Sequence, residues 1–281
     1  MAVQMELMDR ERIARDTMAF WLSTDGSQYE FRAGQNADFV LADPPAGSTD
    51  IARTFSLASS PHDRGSIMIA MRMRVSEFKT TLLAAPNGAR FEVSRARGNF
   101  TLHQDAQRPA VFLAGGIGIT PMHSIICWAS HEALPHRLFL FYSNRKVEDA
   151  AFLENFEELA RQNSRFRFVP TITNSVGPSW PYERGRIDAK MLTRRLAELK
   201  GPVYYLAGPS GMVTAMWDLL RSLGISEDDI KTEEFASRRK QSRSSDGFNA
   251  SNSDTGRLPS IRVGFHGNCK FAPVFFALQL Q

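Results

Sequence analysis

The stretch that most constrains the fold of this chain is a glycine-rich turn at 110–121. It reads Ala-Val-Phe-Leu-Ala-Gly-Gly-Ile-Gly-Ile-Thr-Pro. The apolar run at 110–114 predicts a strand buried on both faces, which ends at Gly115 and Gly116. Pro121 lies where we expect the first position of a helix, because its missing N–H would be unpaired there anyway. Strand, glycine turn and helix together predict a pyrophosphate site, since unpaired N–H groups and the positive end of the helix dipole face the anion.

The turn matches the dinucleotide-binding fingerprint only in part. Gly116 and Gly118 supply the first two glycines, but Pro121 stands where the third would be. No acidic residue ends the next predicted strand, where 142–145 reads Tyr-Ser-Asn-Arg. A glycine pair after a strand is more often only a turn, so this motif by itself leaves the function open.

Two further motifs accompany the glycine turn. Residues 53–61 read Arg-Thr-Phe-Ser-Leu-Ala-Ser-Ser-Pro, an Arg-x-aromatic-Ser pattern, and 207–212 read Ala-Gly-Pro-Ser-Gly-Met. The three motifs, in this order, resemble the ferredoxin–NADP reductase superfamily over 18–235. The resemblance implies two domains. An N-terminal antiparallel β-barrel of Greek-key type (1–107) would bind flavin, and an α/β parallel-sheet domain (108–236) would bind NAD(P).

The residue pattern predicts the same two halves. Short strand-like segments between turn residues favour a small antiparallel barrel at first; they lie at 31–35, 38–41, 66–73 and 90–94. One helix is expected after Ser76 as N-cap, with Phe78, Leu82 and Leu83 on its apolar side. From 108 onward strands alternate with helices, which is typical of a parallel sheet; the strands are at 137–142, 166–172, 203–207 and 230–235, and the helices at 148–161, 188–199 and 210–224.

The resemblance assigns flavin contacts to the first half. The guanidinium fork of Arg53 suits the flavin pyrophosphate, the Phe55 ring would lie against the isoalloxazine, and Ser56 would reach the nitrogen that receives hydride. Phe55 replaces the tyrosine common in relatives, which keeps the stacking face but loses a hydroxyl. The other flavin-binding candidates are Thr54, Met71, Arg72, Met73, Val75 and Ser76. The implied flavin is FAD rather than FMN. A plain barrel strand with a surface arginine and a core phenylalanine would explain Arg53 and Phe55 equally well.

The same resemblance assigns the nicotinamide nucleotide to the second half. The candidates are Gly116, Ile117, Gly118, Thr120, Pro121, Asn144, Arg145, Gly208, Pro209 and Met212. Ser56, Thr120 and Phe235 are the catalytic candidates, whereas Glu233 is expected only to form part of a final edge strand. Ala207 stands where many relatives have cysteine, which should loosen the placement of the nicotinamide. The choice between NADH and NADPH stays open, with Arg145, Arg184 and Arg186 as possible partners of a 2′-phosphate.

The few cysteines restrict the route of the electrons. An iron–sulfur cluster needs about four cysteine ligands, and the chain has only Cys127 and Cys269. A separate ferredoxin or other iron–sulfur protein, or an oxygenase, is therefore the expected acceptor. The six histidines show no metal-ligand spacing, so no metal site is predicted. Cysteine usage and the missing secretory signal favour the cytoplasm, no apolar run is long enough for a membrane span, and a monomer is expected.

The basic charge of the chain resides in its last part. From 237 onward seven basic and two acidic residues give a net charge of +5, against +4 for the whole chain, which leaves −1 for the rest. The folded part therefore offers no basic face to nucleic acid. The segment 237–256 is rich in Ser, Arg, Asn and Gly, and 237–281 is predicted to be a disordered tail.

These inferences predict an FAD-dependent NAD(P)H oxidoreductase that passes hydride from nicotinamide to flavin and single electrons onward to a separate iron–sulfur protein or oxygenase. Two alternatives remain open. One is a reductase of a small acceptor, such as free flavin, a ferric chelate or a quinone. The other is a catalytically degenerate, flavin-binding regulatory protein, which Ala207 and the unusual tail would favour.

Overall fold

The first half of the chain forms a six-stranded antiparallel sheet. A computed structural model describes residues 2–24, 29–74 and 76–234. The strands are β1 (Val3–Ala14), β2 (Thr17–Ser23), β3 (Asn36–Leu41), β4 (Ala52–Ser56), β5 (Ser66–Arg72) and β6 (Arg90–Val93), in the order β4-β3-β6-β1-β2-β5. An isolated antiparallel bridge between Leu57, the residue after β4, and Ile69 of β5 links the two edges of the sheet. This bridge closes the sheet into the predicted barrel.

Alternating side chains fill the barrel. Along β3 and β6 every second residue is buried, including Phe39 and Phe91, as expected for strands with one face on a core. Helix α1 (Glu77–Ala84) adds Phe78 and Leu82 to that core. Leu83 does not join its predicted apolar side, because its side chain is 42% exposed.

The second half is a six-stranded parallel sheet. Its strands are β7 (Ala110–Gly115), β8 (Leu138–Asn144), β9 (Phe166–Ile172), β10 (Glu183–Arg184), β11 (Val203–Gly208) and β12 (Ile230–Glu234). Their order is β10-β9-β8-β7-β11-β12, and the helices are α2 (Ile119–His131), α3 (Leu153–Gln162), α4 (Ala189–Arg195) and α5 (Ser210–Ser222). The chain leaves β7 toward β8 and returns on the other side at β11. Parallel sheets bind ligands at such a reversal of strand order.

Several predicted boundaries differ from the structure. Helix α2 begins two residues before Pro121, after a 3₁₀ turn at Gly116–Gly118. Pro121 is still tolerated, because the first N–H groups of a helix have no intrahelical partner. The segment 31–35 is a turn and not a strand, since Gly34 adopts a φ of +92°. The third helix begins at Leu153 rather than 148, and the fourth ends at Arg195 rather than 199.

The predicted tail at 237–281, together with Val75 and Phe235, lies outside the described residues. Within the described ranges, no helix combines the length and the apolar character needed to cross a lipid bilayer.

Candidate functional site

Two glycine loops meet where the parallel sheet reverses its strand order. The turn Gly116–Gly118 follows β7, and Gly208 ends the neighbouring strand β11. A Cβ on Gly118 would lie 2.4 Å from the carbonyl carbon and oxygen of Ala207, and a Cβ on Gly208 would lie 3.1 Å from the backbone of Gly115. Because only glycine permits this approach, the two sequence motifs form one surface at the carboxyl ends of the strands.

The other side of the glycine turn is open and faces an arginine. Gly116 has a left-handed φ of +52°, and the nearest described atom to a Cβ on it would be the Arg72 guanidinium, at 3.7 Å. The Nε of Arg72 is buried and has no hydrogen-bond partner within the described part of the chain. A buried guanidinium N–H beside an open glycine turn fits an anionic oxygen, such as one of a nucleotide phosphate.

Arg53 faces a carboxylate. Its guanidinium donates to Asp50 at 2.5 Å, and the same Asp50 oxygen accepts from the Ser76 hydroxyl at 3.2 Å and from the Phe78 N–H at 3.4 Å. Burial opposes ionisation of Asp50, but the hydrogen bond from Arg53 and that from the Phe78 backbone hold the pKa of this carboxyl below its ordinary value. The predicted pyrophosphate donors thus share one site at the start of α1, which fits an anion, and the Asp50 side chain occupies it.

Ser76 therefore does not cap α1 as predicted. It stands at the N-cap position, but its side chain makes no capping hydrogen bond. The carboxylate of Asp50 accepts from the first turn of the helix instead. Asp50 was not a sequence candidate, because it lies three residues before the Arg-x-aromatic-Ser motif and nothing local marks it.

Phe55 lies in an aromatic group at the edge of the barrel core. Its ring meets Phe39 edge-on with centroids 5.7 Å apart, and it lies tilted against Phe78 at 5.9 Å. The side chain is only partly buried, so part of the ring faces outward. The neighbouring Thr54 donates its hydroxyl to Asp38 at 2.5 Å.

A buried serine joins the barrel to the last strand of the parallel sheet. Ser56, at the end of β4, donates its hydroxyl to the Glu233 carboxyl oxygen Oε1 on β12 at 3.0 Å, and the Asn36 amide approaches the same oxygen at 3.5 Å. The second oxygen, Oε2, is buried with no partner in the described part of the chain. Burial raises the pKa of Glu233, and the hydrogen bonds from Ser56 and Asn36 only partly offset this.

Glu233 is the site residue that the sequence analysis failed to identify, since it was expected only to form part of an edge strand. Its neighbour in the ladder is Ala207, at the carboxyl end of β11, so it belongs to the same edge as the glycine loops. The signal available in the sequence was the Glu-Glu-Phe segment, which resembles relatives of the proposed family. Periodicity alone indicates only an edge strand there.

The remaining nucleotide candidates lie around the same edge. Thr120 is buried, and its hydroxyl donates to the Ile117 carbonyl at 3.2 Å, within the turn. Asn144 is buried at the end of β8, with its Oδ1 unpartnered among the described residues, and Arg145 beside it is exposed. The others are placed as follows: Met71 is in the barrel core with Met73 packed against it, Pro121 is buried in α2, Pro209 precedes α5, and Met212 lies against Gly115.

Helix α2 connects the two sheets through hydrogen bonds to the chain just after β4. The His123 ring donates from Nδ1 to the carbonyl of Ala58 at 2.7 Å. The Ser124 hydroxyl donates to the carbonyl of Ser59 at 2.6 Å, and both side chains are buried. These contacts fix the segment after Ser56 against the helix that follows the glycine turn.

Sequence comparisons identify similar proteins. Residues 112–218 match the family profile described as "Oxidoreductase NAD-binding domain". The ferredoxin–NADP reductase B of Sorangium cellulosum is 28% identical over 218 residues, which is 75% of this chain and 88% of that protein. The reductase component of propane 2-monooxygenase from Rhodococcus jostii is 25% identical, covering 81% of this chain. The chain spans only 62% of that longer relative.

Solved structures share the fold. An Amycolatopsis cytochrome P450 reductase superposes with a TM-score of 0.71 at 25% identity, covering 84% of this chain and 70% of that one. The FAD/NAD-binding domain of nitric oxide dioxygenase from Vibrio cholerae gives a TM-score of 0.73 at 18% identity, covering 83% and 98%, and it supports the fold alone. Both sheets and the edge that carries the glycine loops thus belong to a known architecture.

Proposed function

Because the chain belongs to the ferredoxin–NADP reductase superfamily, we propose that it supplies electrons from NAD(P)H to a separate iron–sulfur protein or oxygenase. We infer that the chain acts as a flavin-dependent NAD(P)H oxidoreductase with FAD as its flavin. The kind of acceptor is supported by a relative named as the reductase component of propane 2-monooxygenase. With two cysteines, the chain lacks the four ligands that a cluster of its own would need.

The flavin is proposed to lie against the outer face of β4. Arg53, the Ser76 hydroxyl and the Phe78 N–H would hold its pyrophosphate, and the exposed part of the Phe55 ring would contact its ring system. The contacts that these groups make with Asp50 support the assignment, because they converge on one anionic centre. Bound flavin supplies a carrier that takes two electrons as hydride and releases them one at a time.

The nicotinamide nucleotide is proposed to bind across the glycine turn. The open side of Gly116 and the unpartnered Nε of Arg72 would receive its phosphates. The close approach of Gly118 to Ala207, which a side chain would prevent, lets the two loops form one binding surface. The exposed Arg145 after β8 is the proposed partner of a 2′-phosphate, which would favour NADPH.

The hydrogen bond between Ser56 and Glu233 is the observation on which the proposed function chiefly rests. It places a hydroxyl and a carboxyl with a raised pKa where the barrel meets the carboxyl edge of the parallel sheet. The Ser56 hydroxyl would orient the reacting ring, and Glu233 would hold a proton at Oε2, its unpartnered oxygen. Both groups are buried or half-buried, so bulk water is kept from the reacting atoms.

The visible spectrum of the purified protein under anaerobic conditions tests this proposal. We expect flavin absorption bands that bleach on addition of one nicotinamide nucleotide, with NADPH faster than NADH. Arg145→Ala should remove the difference between the two nucleotides. A protein that stays colourless when supplied with FAD contradicts the proposal outright.

The acceptor is tested separately, by comparing turnover with a ferredoxin and with a ferric chelate. A ferredoxin that is reduced well above the chelate rate supports a protein acceptor. Equal or faster reduction of ferric chelate, free flavin or quinone would instead identify a reductase of small acceptors. The flavin and the nicotinamide assignments stand in either case.

A further inference from the structure

Three side chains of types that can bind metal ions meet at the C-terminal end of helix α2, opposite the end that follows the glycine turn. His62 lies in the loop between β4 and β5, His131 is the last residue of α2, and Glu132 follows it. One ligand atom from each side chain lies within 4.8 Å of the other two. None of these residues takes part in the flavin or nucleotide contacts proposed above.

The contacts within this group bring the donors together. The Nε2 of His62 lies against the Glu132 carboxylate, and the His62 and His131 rings have centroids 3.8 Å apart at an angle of 37°. That nitrogen is buried, yet it makes no hydrogen bond of normal geometry in the described part of the chain. A buried imidazole nitrogen in contact with a carboxylate, with a second imidazole beside them, is a set of donors that a bound cation would satisfy.

The end of helix α2 favours positive charge at this place. The helix closes with two hydrogen bonds, from Leu134 N–H to the Ala129 carbonyl at 2.9 Å and from Ala133 N–H to the Ser130 carbonyl at 3.2 Å. Glu132 is the C-cap residue of that turn. The negative end of the helix dipole therefore adds to the charge of the carboxylate.

We propose that His62, His131 and Glu132 form a binding site for a divalent transition-metal ion of the zinc class. Two imidazole nitrogens and one carboxylate oxygen are ligands that zinc accepts, whereas magnesium and calcium prefer oxygen alone. Bonds of about 2.0–2.2 Å in a tetrahedral site put the ligand atoms roughly 3.4 Å apart. The three ligand atoms lie within 4.8 Å of one another. The His62 nitrogen and the Glu132 oxygen, which are in contact, would move apart by side-chain rotation to admit the ion between them. His131 and Glu132 are exposed, so the ion can enter from solvent and keep a water as its fourth ligand.

Such an ion would reinforce the contact between the two sheets. His62 belongs to the barrel side, and His131 and Glu132 belong to the helix that holds the carbonyls of Ala58 and Ser59. Binding to the folded chain alone stabilises it in proportion to the logarithm of the ion concentration over Kd. The site is structural or regulatory in kind, and it does not depend on the flavin.

The test is a zinc titration of the full chain after removal of metal, in competition with a chromophoric chelator. We expect one equivalent of Zn²⁺ to bind, with a rise in Tm of roughly 5 °C at saturation. His62→Ala and Glu132→Gln should each weaken zinc binding by about tenfold or more and reduce the rise in Tm at the same zinc concentration. Thermal melting of the metal-free proteins and measurement of their bound flavin check that both variants are folded.

A matched control removes the metal-binding side chains of the tail, as the double substitution His266→Ala and Cys269→Ser. It should bind zinc like the unsubstituted chain. Loss of binding in this control with retention in His62→Ala and Glu132→Gln would overturn the proposal. The proposal would also be overturned if the chain failed to compete with the chelator for zinc.

Discussion

At the scale of single residues, Asp50 has the most direct consequence for flavin binding. Its carboxylate accepts hydrogen bonds from Arg53, Ser76 and Phe78, the groups assigned to the flavin pyrophosphate. A carboxylate and a pyrophosphate compete for the same donors and repel each other. We expect Asp50→Asn to lower the Kd for FAD by about tenfold, a difference of about 1.4 kcal/mol.

Flavin fluorescence during titration of the flavin-free protein measures this effect. Asp43→Asn is the matched control, since Asp43 is an exposed carboxylate that pairs with Arg90. It should leave the Kd unchanged. Weaker FAD binding in Asp50→Asn would mean that the carboxylate positions Arg53 for the flavin instead of competing with it.

Glu233 makes the stability of the folded protein depend on pH, and the sign of this dependence follows from its raised pKa. Burial raises the pKa of this carboxyl above 4.5 in the folded chain, so between the two pKa values the folded state binds more protons than the unfolded state. Its contribution to stability is full below about pH 4.5 and is lost as the pH rises through the folded pKa. Glu233→Gln carries no charge and should be relatively more stable at about pH 8 than at about pH 5.

Thermal melting of both proteins across this range measures the difference. Glu92→Gln, which removes an exposed carboxylate from β6, should follow the curve of the unsubstituted chain. Parallel curves for Glu233→Gln and the unsubstituted chain would show that the carboxyl titrates as it does when unfolded.

Some of the site could be predicted from the sequence because its residues stand in contiguous motifs. Arg53 and Gly118 carry local signals, since a fork-shaped cation and a close backbone approach each need one residue type. Asp50 and Glu233 carry none that periodicity can detect. The partners of Asp50 are Ser76 and Phe78, which lie 26 and 28 residues away in sequence. The partner of Glu233 is Ser56, 177 residues away, and only folding brings these residues together.

At the scale of elements, the residue after the C-cap of helix α2 has a strained backbone conformation that a glycine would relieve. Ala133 adopts a left-handed φ of +50° at the position after the C-cap, where glycine is usual. A side chain in this conformation costs about 1 kcal/mol or more. We expect Ala133→Gly to increase the free energy of unfolding by about 0.5–1 kcal/mol, measured by chemical denaturation.

The same substitution inside a helix is its control. Ala160→Gly in α3 should decrease the free energy of unfolding by about 1 kcal/mol, because glycine is a poor helix former. Opposite signs for the two variants would show that the left-handed conformation of Ala133, rather than substitution by glycine as such, makes its replacement stabilising; Ala160→Gly also loses packing against the core. A loss of stability in both would contradict this explanation.

The strands of the parallel sheet were easier to predict than those of the barrel. β9 matches its predicted bounds of 166–172. β7 and β11 are buried at every position, and such strands read as apolar runs in the sequence. β1 was missed because apolar and polar residues alternate only over 3–7, and the strand then continues through four consecutive charged residues at 9–12. The third helix starts late because Phe152 adopts a left-handed φ of +60°, which a propensity argument does not anticipate.

At the scale of the whole molecule, transfer of hydride depends on the contact between the barrel and the parallel-sheet half. We call this contact the seam; His123 and Ser124 of α2 form it with the carbonyls of Ala58 and Ser59. Ser56 and the glycine turn lie on different sheets, and α2 holds them in register through His123 and Ser124. Reacting atoms must come within about 3–3.5 Å, so a small displacement of one sheet slows the reaction strongly. On the proposed function, His123 and Ser124 therefore affect the reaction by positioning the two sheets, although neither is proposed to contact a nucleotide.

Ser124→Ala tests this role of the seam. The substitution leaves the buried Ser59 carbonyl without the hydroxyl that lies 2.6 Å away, which should cost about 1–3 kcal/mol of stability. We expect FAD binding to be retained while the rate of flavin reduction by NAD(P)H in stopped flow falls about tenfold. Ser130→Ala on the same helix removes a hydrogen bond from Asn163, which belongs to the parallel-sheet half alone. It should lower stability without slowing reduction, so equal rates in the two variants would show that the seam plays no part in placing the nicotinamide.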